Sequence, residues 1–158
     1  MHSKSLFFTA IVLILSTVIA SAQNIAVVSP DGKLKFAMTF DSNTGKIAYE
    51  IIAHGKQVIL PSELGIIGYY NNIESVEPVE THSVDTTWRP VYGERAVVKD
   101  CYNQNTVALK AKGRREKLNF IIRAYNEGIA FRYEYQGNGH VCIEKESTTF
   151  NVPENTVC

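Results

Sequence analysis

The run AYNEGIAFRYEY, Ala124 to Tyr135, decides how this chain is read, because a short polar interruption separates two segments of strand character. Leu118 to Tyr125 before it is largely apolar, and Ile129 to Gln136 after it alternates charged or small residues with aromatic ones. Asn126-Glu127-Gly128 fits a three-residue hairpin loop, with Gly128 at the left-handed position such loops favour. That loop predicts Tyr125 opposite Ile129. Counting outward, it sets Arg123 opposite Phe131 and Arg132 opposite Ile122. Each face of the hairpin is then expected to carry apolar side chains and one guanidinium, so both faces call for cover. Two uses of Arg123 and Arg132 follow. They pair with carboxylates such as Glu134 or Glu116 or with buried carbonyls at a packed interface, or they contact a ligand directly.

The flanking sequence repeats the strand pattern. Leu34, Phe36, Met38 and Phe40 alternate with Lys35, Ala37 and Thr39, the period of two of a strand with one face on a core. Pro30-Asp31-Gly32-Lys33 and Asp41-Ser42-Asn43-Thr44-Gly45-Lys46 read as turns on either side of it. Further strands are predicted over Ile47 to Ile52 and Gln57 to Leu60, around a His54-Gly55-Lys56 turn, and over Ala96 to Cys101, Val107 to Ala111 and His140 to Phe150. Asn71 to Val84, polar and holding Pro78, reads as a long loop. No segment carries a helical stripe and no repeat is present. The expected fold class is all-β, an antiparallel sandwich or barrel.

Composition bounds the function. The chain has 158 residues, 45% hydrophobic, with 16 basic and 16 acidic side chains. Zero net charge offers no field for nucleic acid or anionic lipid, so neither is expected as a partner. His2 and Lys4, the apolar run Leu6 to Ala20 and the small residues Ala20-Ser21-Ala22 form a secretory signal peptide over residues 1–22. Cleavage after Ala22 leaves residues 23–158 as a single domain or part of one, periplasmic or secreted and off the membrane. The apolar run is about 15 residues, short of the ~20 needed to cross a bilayer. Cys101, Cys142 and Cys158 match no metal spacing and read as free or core thiols, or as one Cys101 to Cys142 bridge with a thiol over.

Chemistry-bearing residues are sparse. Glu74, Glu77, Glu80 and Asp85 gather in the expected loop, where spaced acids are more commonly a solvated surface than the opposed pair that glycoside hydrolysis requires. His54, His82 and His140 lack metal-ligand spacing, and there is no nucleophile elbow or phosphate-cradling loop. No catalytic residue is therefore assigned, and no cofactor is assigned to this chain. Trp88, Arg89 and Tyr92 combine aromatic faces with a planar donor, the means of holding a pyranose, although Trp88 equally suits the core or edge of a sandwich. Tyr69 and Tyr70 invite the same two readings.

Taken together, several of these motifs are also familiar. Arg123-Ala-Tyr-Asn-Glu-Gly-Ile-Ala-Phe-Arg132-Tyr resembles a signature of the N-terminal domain of glycoside hydrolase family 97. Ser29-Pro-Asp-Gly-Lys, Ser62-Glu-Leu-Gly65, Trp88-Arg-Pro-Val-Tyr-Gly-Glu94 and Glu146-Ser-Thr-Thr-Phe-Asn-Val-Pro153 follow in the family's order. Gln104 stands where the family more often has Glu, which bears on any ion pair at that position. The resemblance implies a galactose-mutarotase-like β-supersandwich, incomplete here, from an exported α-glucosidase or α-galactosidase acting on α-linked oligosaccharide. In such enzymes a (β/α)8 barrel bears the catalytic acids and a calcium ion, and it lies beyond the matching region. On this resemblance the chain is a truncated product or fragment. It is inactive alone, with structural roles for Arg123, Gly128 and Arg132. The alternative is an independent secreted carbohydrate-binding module.

Overall fold

The computed structural model describes residues 23–68 and 72–156, so residues 1–22, expected as a signal peptide, and Tyr69, Tyr70 and Cys158 lie outside the described residues. Strands β1 (Gln23–Val28), β2 (Leu34–Asp41), β3 (Lys46–Ala53) and β4 (Lys56–Leu64) form one antiparallel sheet in chain order. Strands β6 (Ile73–Trp88), β7 (Val98–Ala111), β8 (Lys117–Tyr125) and β9 (Ile129–Gln136) form a second. A ribbon of β5 (Ile66–Gly68) with β10 (Ile143–Glu146) joins them at one side. The described residues hold no helix, and the two sheets pack as an antiparallel β-sandwich.

The alternation in β2 is the clearest case of sequence setting structure. Leu34, Phe36, Met38 and Phe40 are buried, while Lys35 and Thr39 are exposed. Phe36 stacks on Tyr49 of β3 at 5.3 Å between ring centroids and meets Phe120 of the second sheet at 6.1 Å. Tyr49 and Phe120 each meet Phe131, at 5.7 and 5.4 Å. Offset and tilted aromatic contacts of this kind add to the transfer free energy of burial.

Three strand assignments need correction. From Ile73 onward, Asn71 to Val84 is not a loop but most of the 16-residue strand β6. That strand is the edge of its sheet, so it needs no continuous apolar face, and Pro78 sits at a register shift between Pro78 and Glu80 where its missing N–H costs little. Ala96 to Cys101 and Val107 to Ala111 are not separate strands, because β7 runs unbroken from Val98 to Ala111. Its polar middle is used: the Asn103 and Asn105 side-chain amides donate to Val28 O and Ala26 O of β1, each at 2.8 Å. Of His140 to Phe150, only Ile143–Glu146 is strand. Residues 147–151 instead lie along β4, with Ser147 N–H on Gly65 O and Thr149 N–H on Glu63 O, both 2.9 Å, and Leu60 N–H on Asn151 O at 2.7 Å.

The hairpin itself is shifted by one residue from the expected register. Ala124 faces Ile129, Arg123 faces Ala130, Ile122 faces Phe131 and Ile121 faces Arg132. Tyr125 N–H donates to Gly128 O at 2.9 Å, so the loop closes around Asn126 and Glu127. Gly128 does not adopt positive φ. The physical reason is the core. In this register Leu118, Phe120, Ile122 and Ala124 share one face with Ile129, Phe131, Tyr133 and Tyr135, and a slip of one would have sent half of them to solvent. Asn126 Oδ1 also accepts from Asp31 N–H at 3.0 Å, tying the loop to the β1–β2 turn.

Candidate functional site

The observed register places Arg123 and Arg132 together on the outer face of the second sheet, not on opposite faces as expected. Their strand partners there are Ala130 and Ile121, and the two arginines line a cleft of about 150 Å³ with Ile121, Tyr125, Ala130 and Phe131. Across β7, Gln104 is opposite Arg123 and Tyr102 is opposite Tyr125. Arg123 Nε donates to Gln104 Oε1 at 2.7 Å, and the guanidinium carbon lies 4.4 Å from the centroid of the Tyr102 ring. Gln104 in turn donates through Nε2 to Thr106 Oγ1 at 3.3 Å. Gln104, Thr106, Tyr102 and Ile121 are all buried, although they lie on the face turned away from the first sheet.

The two arginines differ in how their charge is met. Arg132 makes an exposed ion pair with Glu134 at 3.0 Å, one of the carboxylates anticipated for it. Arg123 contacts an amide and two phenols, with the Asp100 carboxylate also acting on its charge. Hydrogen bonding to Tyr125 moves its already high pKa further up. Gln104 thus keeps the hydrogen bond but not the ion pair that Glu would bring. The sequence marked Gln104 as a departure bearing on an ion pair but did not name Arg123 as its partner, and it did not single out Tyr102. The signal was present, because a lone Gln among the asparagines of Tyr102-Asn-Gln104-Asn faces the arginine once the strands are paired.

Trp88, Arg89 and Tyr92 fall at the end of β6 and in the connection to β7. Trp88 is 52% and Tyr92 89% exposed, so neither packs in the core, and Arg89 is exposed as well. The acids Glu74, Glu77, Glu80 and Asp85 are strung along β6 rather than gathered. Glu74, Glu77 and Asp85 each meet a lysine, Lys110 at 3.7 Å, Lys117 at 2.7 Å and Lys99 at 3.6 Å, and Glu80 lies 3.5 Å from the His82 ring nitrogen. Hydrogen bonding to Lys117 holds the Glu77 carboxyl below its ordinary range. Among the described residues no three His, Cys, Asp or Glu side chains are grouped to hold a metal ion. Cys101 is half-buried and Cys142 exposed, both as free thiols. No described helix is long and apolar enough to cross a membrane.

Two antiparallel sheets packed face to face, with Arg123 and Arg132 on one outer face, define the class as an antiparallel β-sandwich domain. Comparison with known proteins makes the class specific: residues 27–158 match the glycosyl-hydrolase 97 N-terminal family, and the chain belongs to it. It is 23% identical over 156 residues to a retaining alpha-galactosidase of Bacteroides thetaiotaomicron, covering 96% of this chain and 22% of that protein. A glycoside hydrolase family 97 enzyme from Pseudoalteromonas sp. strain K8, solved in complex with panose, superposes with a TM-score of 0.69 at 28% identity. That match covers 82% of this chain and 20% of the enzyme. A beta-arabinopyranosidase matches with a TM-score of 0.70 at 27% identity, over 84% of this chain and 22% of its own. The chain thus spans about a fifth of the length of these relatives.

Proposed function

We propose that this chain is the non-catalytic N-terminal β-sandwich portion of an exported α-glycosidase, supporting a (β/α)8 catalytic barrel that acts on α-linked oligosaccharide. Its export, to the periplasm or beyond, runs through residues 1–22, and calcium is a property of the full-length enzyme. The observation that carries this reading is the coverage: the chain aligns nearly end to end with about a fifth of a glycosidase. The spread of Glu74, Glu77, Glu80 and Asp85 along β6, each beside a different basic side chain, agrees with it, because bond cleavage needs two carboxyl groups facing one another across about 5 to 9.5 Å.

The test is to assay the purified protein on aryl α-glucosides and α-galactosides with calcium present. No turnover above background is expected, and the secreted form is expected to begin at Gln23 by N-terminal sequencing. Turnover that disappears on replacing Glu74, Glu77, Glu80 or Asp85 would overturn the reading. The exposure of Trp88 and Tyr92 favours one second reading, an independent carbohydrate-binding module. Calorimetric binding of maltooligosaccharide that is lost in Trp88→Ala would support that module instead.

A further inference from the structure

We propose that the cleft between Arg123 and Arg132 is a binding site for one carboxylate group, carried by a small organic acid or by a sugar acid. The inference stands apart from the support role and rests on the residues that line the cleft, whatever continues the chain. Arg123 pairs with Ala130 and Arg132 with Ile121, so the two arginines are diagonal neighbours on the outer face, and both border the same space of about 150 Å³. That space is well below the roughly 300 Å³ at which sites for drug-sized ligands begin, and it suits a single small group. Arg123 is already held in place there. Its Nε donates to Gln104 Oε1 at 2.7 Å and its guanidinium carbon lies 4.4 Å from the centroid of the Tyr102 ring, and both of those residues are buried. Gln104 is anchored in turn by its bond to Thr106 Oγ1, so little side-chain freedom is left to lose when a ligand binds.

The charges set the kind of ligand. Exposed strand cations such as Lys46, Lys117 and Arg132 each reach a carboxylate, Glu63 at 2.9 Å, Glu77 at 2.7 Å and Glu134 at 3.0 Å. Arg123 is less exposed than these, yet its hydrogen bonds go to neutral groups on Gln104 and Tyr125, with Asp100 the weakest of its electrostatic neighbours. A half-buried cation bonded to neutral groups draws an anion. A guanidinium also carries more N–H donors than two such bonds use. Arg132 brings a second planar fork, and Glu134 offsets one of the two positive charges, which leaves a balance met by a monoanion. Ile121 and Ala130 line the cleft with apolar surface, and a lower local dielectric strengthens a charge-assisted hydrogen bond.

The test follows the arginine Nε–H signals of the purified protein by NMR during titration with sodium acetate, sodium glucuronate or neutral glucose, with sodium chloride holding the ionic strength constant. Saturable shifts of the Arg123 and Arg132 signals are expected with both anions at about millimolar concentrations, and none with glucose. Equal affinity for acetate and glucuronate identifies a small organic acid as sufficient, whereas a glucuronate advantage of about tenfold identifies a sugar acid. Gln104→Glu sets a carboxylate on Arg123 in place of the amide and should weaken acetate binding about tenfold or more. Arg123→Lys keeps the charge but loses the fork, and should weaken it several-fold. Thermal melts confirm that both variants fold. The absence of any saturable shift up to about 100 mM acetate overturns the proposal. So do equal shifts produced by glucose or by chloride, or an acetate response indifferent to both substitutions.

Discussion

On the inner face of β8–β9, Phe120 and Ile122 are fully buried and pack with Phe131 and Tyr133 against the first sheet. On the outer face of the same two strands, Arg123 rests on Tyr102 and Gln104 while Arg132 reaches an exposed carboxylate. The backbone is common to both faces, so the contrast isolates the side chains. Shape and exclusion of water hold the inner face, whereas the outer face depends on whether each polar group finds its partner. Removing volume from one and removing a donor from the other are therefore different experiments.

The largest effect is expected from the inner face. Phe120→Ala removes a ring in contact with Phe36, Phe131 and Tyr133, with ring centroids 6.1, 5.4 and 5.1 Å away. Truncation of a fully buried phenylalanine costs about 3 to 5 kcal/mol, comparable to the whole stability of a small domain. Urea titration should show a collapsed midpoint, and a loss under about 1 kcal/mol would mean that the two sheets are not packed through this ring.

Arg123→Ala comes next. It leaves Gln104 Oε1, on a residue 6% exposed, without its donor, and an unsatisfied buried acceptor costs about 1 to 3 kcal/mol. Arg123→Lys should recover only part of this, because an ammonium cannot present Nε to the amide while lying flat over Tyr102. Equal stability of the Ala and Lys variants by chemical denaturation would show that the planar group is not what the site uses. Arg132→Ala, by contrast, removes one exposed ion pair and should cost at most about 1 kcal/mol.

These differences explain how much could be read from the sequence. β2 was legible because one face is buried and the other wet, so the chemistry alternates with the pleat. β6 was not, since an edge strand with Glu, Thr and Asp on it carries the composition of a loop. β7 was half legible: Asn103 and Asn105 look like interruptions until β1 supplies the carbonyls they bind. At the site, Arg123 and Arg132 stood out as charges among apolar residues, but the face each would occupy depended on a loop one residue shorter than the glycine suggested. The partners Tyr102 and Gln104 lie 21 and 19 residues from Arg123 and reach it only through the β7–β8 register, Gln104 opposite it and Tyr102 on the diagonal. Spacing within one segment cannot report such pairings.

The smallest expected effect gives the sharpest test of that register. A three-residue loop with Gly128 left-handed would make Gly128→Val costly, on the order of 1 to 2 kcal/mol, because a side chain there is strained. The observed backbone at Gly128 is not left-handed, and a Cβ built on it meets nothing within 4 Å. Valine also suits an extended backbone next to Ile129, and replacing glycine there narrows the unfolded ensemble. Gly128→Val should accordingly melt within about 0.5 kcal/mol of the wild type, as surface substitutions away from special backbone positions do. Gly45→Ala serves as the control in the same assay. There φ is +68° and the new Cβ would lie 2.9 Å from the backbone oxygen of Ile73, so a clear loss of stability is expected. If Gly128→Val falls as far as Gly45→Ala, the loop is the longer one after all, and Arg123 and Arg132 return to opposite faces of the hairpin.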